Sequence, residues 1–231
     1  MSSERPELHD TLLRIALRES KNCVPSPTAF SVGAVIFLPR SLVTTKSDTS
    51  NHLDELHTLL EPFFPTLIGA AAAIDEDAGQ EDPGVEVQGL ILSSSYSRAL
   101  EGNTHAEANA LTLLERKISG LPLQVQQSVL ALTGAQPANQ EALPAAVYQA
   151  ILSRSWMYAT MEPCSRRTSG LRSCTDAILA SSLKRVYIGV QEPPDYVQCE
   201  GIHLLKAGGV EVLHVPGFEE ECLKAARRGL E

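Results

Sequence analysis

The chain has 231 residues, 19 Lys+Arg against 28 Asp+Glu, a net charge of −9, and 43% apolar and 20% charged residues. That is enough chain and apolar content to fill a core in one generous domain, which excludes wholesale disorder. The acidic balance and an aromatic content of only 5% exclude a general nucleic-acid coat, which needs a basic surface and stacking rings.

Residues 7–20 place Leu8, Leu12, Ile15 and Ala16 at helical spacing between charges, which predicts an amphipathic helix. Glu4, Glu7 and Asp10 deny the N-terminus a signal-peptide apolar core, and the longest apolar stretch, 67–74, is far short of the roughly 20 residues a bilayer span needs. Five scattered cysteines (Cys23, Cys164, Cys174, Cys199 and Cys222) do not make a disulfide framework. The expectation is a cytoplasmic protein with free thiols and no membrane attachment. Residues 22–28 hold two prolines and predict a loop, and 30–38 (FSVGAVIFL) predict a short buried strand.

From 39 to 88 the pattern weakens. Leu53, Leu56, Leu59 and Leu60 signal a short helix, and 75–86 carry six acidic residues and no base, a solvated acidic loop without the ligand alternation of a calcium site. Strand signals return at 89–94, 156–160, 185–190 and 210–215. Helix signals stand at 105–116, 174–182, 202–207 and 218–229. Residues 119–153, with Pro122, Pro137 and Pro144, read as loosely ordered apart from one short helix near 145–152. Strands alternating with helices predict an α/β layered sheet. The regions at about 39–88 and 119–153 then read as insertions within a single domain spanning 1–231.

Three pieces of this layout carry chemistry. His105-Ala106-Glu107 opens a predicted helix, Pro163-Cys164 follows a predicted strand, and Cys174 comes after nine intervening residues. One imidazole and two thiolates fill three tetrahedral positions of Zn²⁺ and leave the fourth for water, the open arrangement of a catalytic site. Glu107 points to a different side of the helix from His105. It does not chelate the same ion, yet it can reach the ion's water and carry a proton to a leaving amine. The pattern suits hydrolytic removal of an amino group from an amidine-like ring carbon, the logic of zinc nucleobase deaminases, except that the second cysteine comes later. His-x-Glu alone is common on surface helices, and a lone cysteine is usually a small buried hydrophobe. Their order at successive strand-to-helix junctions is what argues for a metal. His9, His52, His57, His203 and His214 have no partner at ligand spacing, and Asp176 reads as a helix-start residue favoured by the dipole.

At these residues the chain resembles the cytidine-deaminase superfamily, and more narrowly the diaminopyrimidine-phosphate (DRAP) deaminases of fungal riboflavin biosynthesis. The stretches YSRALEGNTHAEANAL (96–111), TMEPCSRRTSGLRSC (160–174), VYIGVQEP (186–193) and VPGFEEECLKAARRG (215–229) carry the narrower likeness. The long gap between the cysteines is close to that of riboflavin-type deaminases, whereas nucleoside and tRNA deaminases usually have two residues there. The resemblance implies a cytidine-deaminase-like three-layer α/β/α fold with a mixed five-stranded sheet. It implies Zn²⁺ on His105, Cys164 and Cys174, with Glu107 as proton shuttle. The implied substrate is 2,5-diamino-6-(ribitylamino)-4(3H)-pyrimidinone 5′-phosphate, the product side includes ammonia, and the implied assembly is a homodimer or higher homo-oligomer.

For the substrate, Asn103 offers a donor and an acceptor to a pyrimidine edge, or else caps the helix entry. Ala106, between ligand and shuttle, is a further candidate for contact with the substrate. Arg98 and Arg167, with hydroxyls from Ser97 and Ser169, are the candidates for the phosphate, and Arg166 or Arg172 can replace Arg167. Two other classes stand beside this one. A different nucleoside, nucleotide or tRNA-adenosine deaminase is one, although RNA calls for a basic surface. A non-catalytic, zinc-stabilised binding subunit is the other, and it would have no use for Glu107.

Overall fold

The computed structural model describes residues 6–40, 49–67, 89–167, 170–192 and 200–230. The apolar run Gly33–Pro39 forms β1 near the middle of a five-stranded sheet. Its other strands are β2 (Gly89–Tyr96), β3 (Trp156–Met161), β4 (Arg185–Val190) and β5 (Glu211–His214), in the order β2-β1-β3-β4-β5. β1 is antiparallel to both β2 and β3, while β3, β4 and β5 are parallel, so the sheet is mixed.

Alternate side chains of β1 go to opposite faces. Ala34, Ile36 and Leu38 enter one core; Val35 and Phe37 enter the other. β3 and β4 divide in the same way, with Met157, Val186 and Ile188 on the first side and Tyr158 and Tyr187 on the second. A strand covered on both faces has no solvent side to keep polar. That is why VGAVIFL carries no polar residue. Helices α1 (Pro6–Lys21) and α8 (Glu219–Ala226) cover the second face, inserting Leu12, Leu13, Ala16 and Cys222. α2 (Thr49–Leu60), α3 (Ala106–Ser119), α4 (Leu123–Thr133), α5 (Leu143–Leu152), α6 (Cys174–Leu179) and α7 (Gly201–Ala207) supply the first-face core, through side chains such as Leu56, Leu114, Val129, Ile151, Ile178 and Leu205. This is the expected three-layer α/β/α arrangement. Gly33 sets how closely α1 lies on the sheet: a Cβ there would come 1.9 Å from the Ala16 carbonyl oxygen.

One expectation needs correction. The helix expected near 145–152 is present as α5, but 123–133, expected to be loose, form a second helix, α4, and Val129, Leu130, Val147, Ile151 and Leu152 of the two are buried. The prolines mark helix ends. Pro122 occupies the N-cap of α4 and Pro144 the first turn of α5, where the missing N–H costs nothing, and Gly134 closes α4 in the left-handed region at φ 69°. The predicted helix over 53–60 is present as the latter part of α2. The acidic segment 75–86 lies outside the described residues. Among the described residues no helix is long and apolar enough to cross a membrane.

Candidate active site

The site forms where β2 hands over to α3 and β3 hands over to α6. After β2 the chain turns back through residues 97–104. The Arg98 N–H donates to the Thr104 carbonyl at 2.7 Å, and the Thr104 hydroxyl donates to the Leu100 carbonyl at 3.0 Å. Buried Asn109, one helical turn into α3, locks this turn from below: its Nδ2 donates to the Tyr96 carbonyl and to Thr104 Oγ1, each at 3.0 Å. His105 therefore stands at the N-cap of α3 in extended conformation, with its carbonyl accepting the first helical bond from Asn109. Ala106 and Glu107 in the next turn are buried, and a carboxylate there also sits at the positive end of the helix.

On the other side, Cys164 leaves the end of β3 and Cys174 begins α6. The two stretches are zipped together: Thr175 N–H donates to the Cys164 carbonyl at 3.1 Å, and the Thr175 hydroxyl donates to the Pro163 carbonyl at 3.2 Å. Ser173 caps α6, its Oγ accepting from Asp176 N–H at 3.0 Å and donating to Asp176 Oδ2 at 2.7 Å. Asp176 is the helix-start residue expected of it.

These loops bring three donors to one point. His105 Nδ1 lies 3.4 Å from Cys164 Sγ and 3.5 Å from Cys174 Sγ, and all three donor atoms fall within 4.8 Å of one another. The Cys174 N–H points at Cys164 Sγ (3.4 Å), and the Cys174 thiol donates to Glu107 Oε2 at 3.4 Å. Burial, reinforced by the Cys164 charge, pushes the Glu107 carboxyl up to about 7. The hydrogen bond from Cys174 draws the Cys164 thiol down to about 4 against the opposing effect of burial. Cys174 moves the other way, raised by that same shared hydrogen bond and by burial. Burial pulls the His105 imidazole down, but its hydrogen bond with Cys164 and the Glu107 charge outweigh this and leave it above the ordinary value. Two thiols and a carboxylate crowded together cannot all ionise without a cation among them, so one thiol takes the charge and the other keeps its proton. A divalent ion resolves that conflict, and one nitrogen with two sulfurs is a zinc donor set with a position left open.

Two of the three donors, those of His105 and Cys164, open into a cavity of about 210 Å³, with Cys174 buried behind them. His105, Glu107 and Cys164 line it, as do the sequence-selected Ser97, Arg98, Asn103 and Arg167, together with Arg166. Arg167 Nη2 donates to the Asn103 carbonyl and so joins the two chemistry-bearing loops at the mouth. The helix-capping alternative for Asn103 does not apply, because the N-cap is His105. Ser97 is buried, and its hydroxyl pairs with the Val32 backbone, accepting from the N–H at 3.1 Å. Arg172 turns to the Asp176 carbonyl (2.8 Å) and does not line the cavity. Ser169 lies outside the described residues. His9 packs on the opposite face of the sheet, 2.8 Å from the Tyr158 hydroxyl.

Two residues were not singled out from the sequence. Asn109 holds the ligand turn as described. Glu162, buried beside Pro163, accepts the N–H of Ile202 at 3.0 Å and that of Glu192 at 3.3 Å, and it faces the cavity. A helical spacing of four from His105 and the adjacency to Pro163-Cys164 were the available signals.

Residues 6–190 match the cytidine and deoxycytidylate deaminase zinc-binding region, and the chain belongs to that family. Among curated proteins it is 29% identical over 225 residues to the diaminohydroxyphosphoribosylamino-pyrimidine deaminase of Schizosaccharomyces pombe, a match covering 97% of this chain and 36% of that one. It is 31% identical over 137 residues to the riboflavin biosynthesis protein RibD of Aquifex aeolicus, covering 58% and 35%. The chain thus spans about a third of the length of these relatives. The Rib2 deaminase of Aspergillus oryzae, solved as a C-terminal deletion mutant, superposes with a TM-score of 0.57 at 24% identity over 96% of this chain and 92% of that one. These likenesses agree with the mixed five-stranded sheet and the zinc-type donor set.

Proposed function

We propose that the chain is a zinc-dependent hydrolytic deaminase acting on a 2,5-diamino-pyrimidinone that carries a phosphorylated sugar chain, with 2,5-diamino-6-(ribitylamino)-4(3H)-pyrimidinone 5′-phosphate as substrate. The observation that carries this is the meeting of His105, Cys164 and Cys174 beside buried Glu107 at the base of one cavity with cationic side chains at its mouth. The likeness to the S. pombe deaminase over 97% of this chain supports the substrate class.

His105 Nδ1, Cys164 Sγ and Cys174 Sγ would hold the zinc. When bound, zinc acts as a Lewis acid that makes water nucleophilic at neutral pH. Glu107, shielded from solvent, takes a proton from the attacking water and gives it to the leaving amino nitrogen. The water oxygen bonds to the amidine carbon, the carbon–nitrogen bond breaks, ammonia leaves, and the second water proton ends on the ring nitrogen. A carboxyl held near 7 exchanges protons in both directions at neutral pH. Asn103 presents its amide to the ring edge, and Arg166 and Arg167 draw the phosphate to the mouth.

The test is ammonia release by purified zinc-loaded protein from the ribitylamino compound, its ribosylamino counterpart (the form in the S. pombe relative's name), cytidine, dCMP and an adenosine-bearing tRNA. Turnover of the ribitylamino compound above all others is expected. Turnover confined to cytidine or dCMP would overturn the substrate assignment.

A further inference from the structure

The segment 22–31, between α1 and β1, forms one wall of the cavity through Thr28, Ala29 and Phe30. It contains no regular element of its own, so something else must keep it in place. Two arginines from distant parts of the chain do so, and both grip backbone carbonyls.

Arg98 donates from Nη2 to the Val24 carbonyl at 2.7 Å and from Nη1 to the Phe30 carbonyl at 3.2 Å, with Ser31 Oγ at 3.4 Å. Arg228, beyond the end of α8, donates from Nη2 to the carbonyls of Ser20 at 3.2 Å, Lys21 at 2.9 Å and Cys23 at 2.6 Å. In both side chains Nε is buried without a hydrogen-bond partner of its own, while the residues as a whole are half-buried, so each guanidinium is held against the protein by its Nη contacts. The Ser31 N–H adds a bond to the Ala226 carbonyl at 2.9 Å, and Gly229, at φ 91°, lets the C-terminal turn lie against the segment, where a Cβ would come 2.7 Å from Pro25.

Arg98 has a further mark. Its backbone sits at φ 65°, the left-handed region that favours glycine. Its own N–H meanwhile fastens the turn leading to His105. A strained non-glycine residue persists where its side chain is needed. Here the side chain ties the far wall to the same turn that delivers the first zinc donor.

We propose that Arg98 and Arg228 are positioning residues, a paired clamp that holds the 22–31 wall in place across the cavity from His105, Glu107 and Cys164, and so sets the width left for a pyrimidine. Arg98 thus acts through carbonyls of the wall and not by direct contact with phosphate, and Arg228, which does not line the cavity, shapes it from the C-terminus. The kinetic part of this rests on the deaminase reading; the structural part does not.

Hydrogen exchange of the zinc-loaded protein tests the clamp directly. Arg98→Gly removes the guanidinium while leaving the residue best suited to the backbone, and Arg228→Ala removes the second grip. Loss of two or three charge-assisted bonds should speed exchange within 22–31 by about tenfold or more, with the sheet unchanged. KM for the pyrimidine should rise by about fivefold to tenfold in each variant with kcat within about twofold, and equally for the phosphorylated compound and its dephosphorylated form. Wild-type exchange in 22–31 for both variants overturns the clamp. A rise in KM for Arg98→Gly confined to the phosphorylated compound overturns the positioning role of Arg98 in favour of a phosphate contact. If Arg228→Ala does not fold, Arg98→Gly decides alone. Wild-type protein inactive on every pyrimidine refutes the deaminase reading only, and the exchange result still decides the clamp.

Discussion

Replacing Glu107 by Gln separates metal binding from proton transfer. The amide matches the carboxylate in shape and can still accept from the Cys174 thiol, so the three donor atoms keep their places. It cannot carry a proton from water to a leaving nitrogen. General acid–base contributions of this kind run to about 10²–10⁴ in rate, or roughly 3–5 kcal/mol of barrier. Full burial of Glu107 places the loss at the upper end, since no bulk water can take its part. A second consequence concerns the metal-free protein. Burial raises the Glu107 carboxyl from 4.5 to about 7, so the folded state binds its proton more tightly than the unfolded chain. Wild type is therefore free of this penalty below about pH 4.5 and carries it fully above about pH 7, where it amounts to about 3 kcal/mol as an upper figure. The variant should accordingly be the more stable of the two in metal-free form at pH 8, with the advantage vanishing by pH 4.5. Ammonia release, zinc content and urea midpoints at the two pH values read all three effects. A variant that retains zinc and turns over within tenfold of wild type would refute the assignment of the shuttle.

Cys164→Ala should lose both zinc and activity, because an imidazole and one thiolate hold the ion poorly, whereas Cys222→Ala, on the opposite face, should keep both in a metal-content assay. Gly33→Ala forces a methyl onto the Ala16 carbonyl; a loss of at least about 1–3 kcal/mol and a Tm lower by several degrees are expected, and an unchanged melting curve would show that α1 shifts freely. Burial, with help from Arg40, lowers the His57 pKa in the folded state. The unfolded chain then takes up the proton first, so stability should fall as pH drops below about 6.5. Denaturant midpoints of His57→Gln should be flatter with pH over that window, and a parallel decline in the two proteins would contradict this.

The strands β1, β3 and β4 were legible because a sheet covered on both faces leaves continuous apolar runs, and the zinc trio because each donor sits beside a turn signal at a strand-to-helix junction. α4 was not legible in the same way. Pro122 and Pro137 read as breaks in a loose region, yet they stand at and beyond the ends of a helix whose Val129 and Leu130 are buried. Glu162 and Asn109 are not legible in the sequence for a different reason. Their partners are the backbone groups of Ile202, Glu192 and Tyr96 and the Thr104 hydroxyl, brought near by the fold. Arg98 shows the limit most clearly: the sequence presents a cation inside a family-like stretch, which suggests phosphate, while the fold directs its guanidinium to the carbonyls of Val24 and Phe30.

X-ray absorption at the zinc edge, with metal content measured on the same sample, tests the central claim most directly. One zinc per chain is expected, with two sulfurs at about 2.3 Å, one nitrogen at about 2.0–2.1 Å and a light fourth neighbour. Protein free of stoichiometric metal, or a shell without two sulfurs, would contradict it.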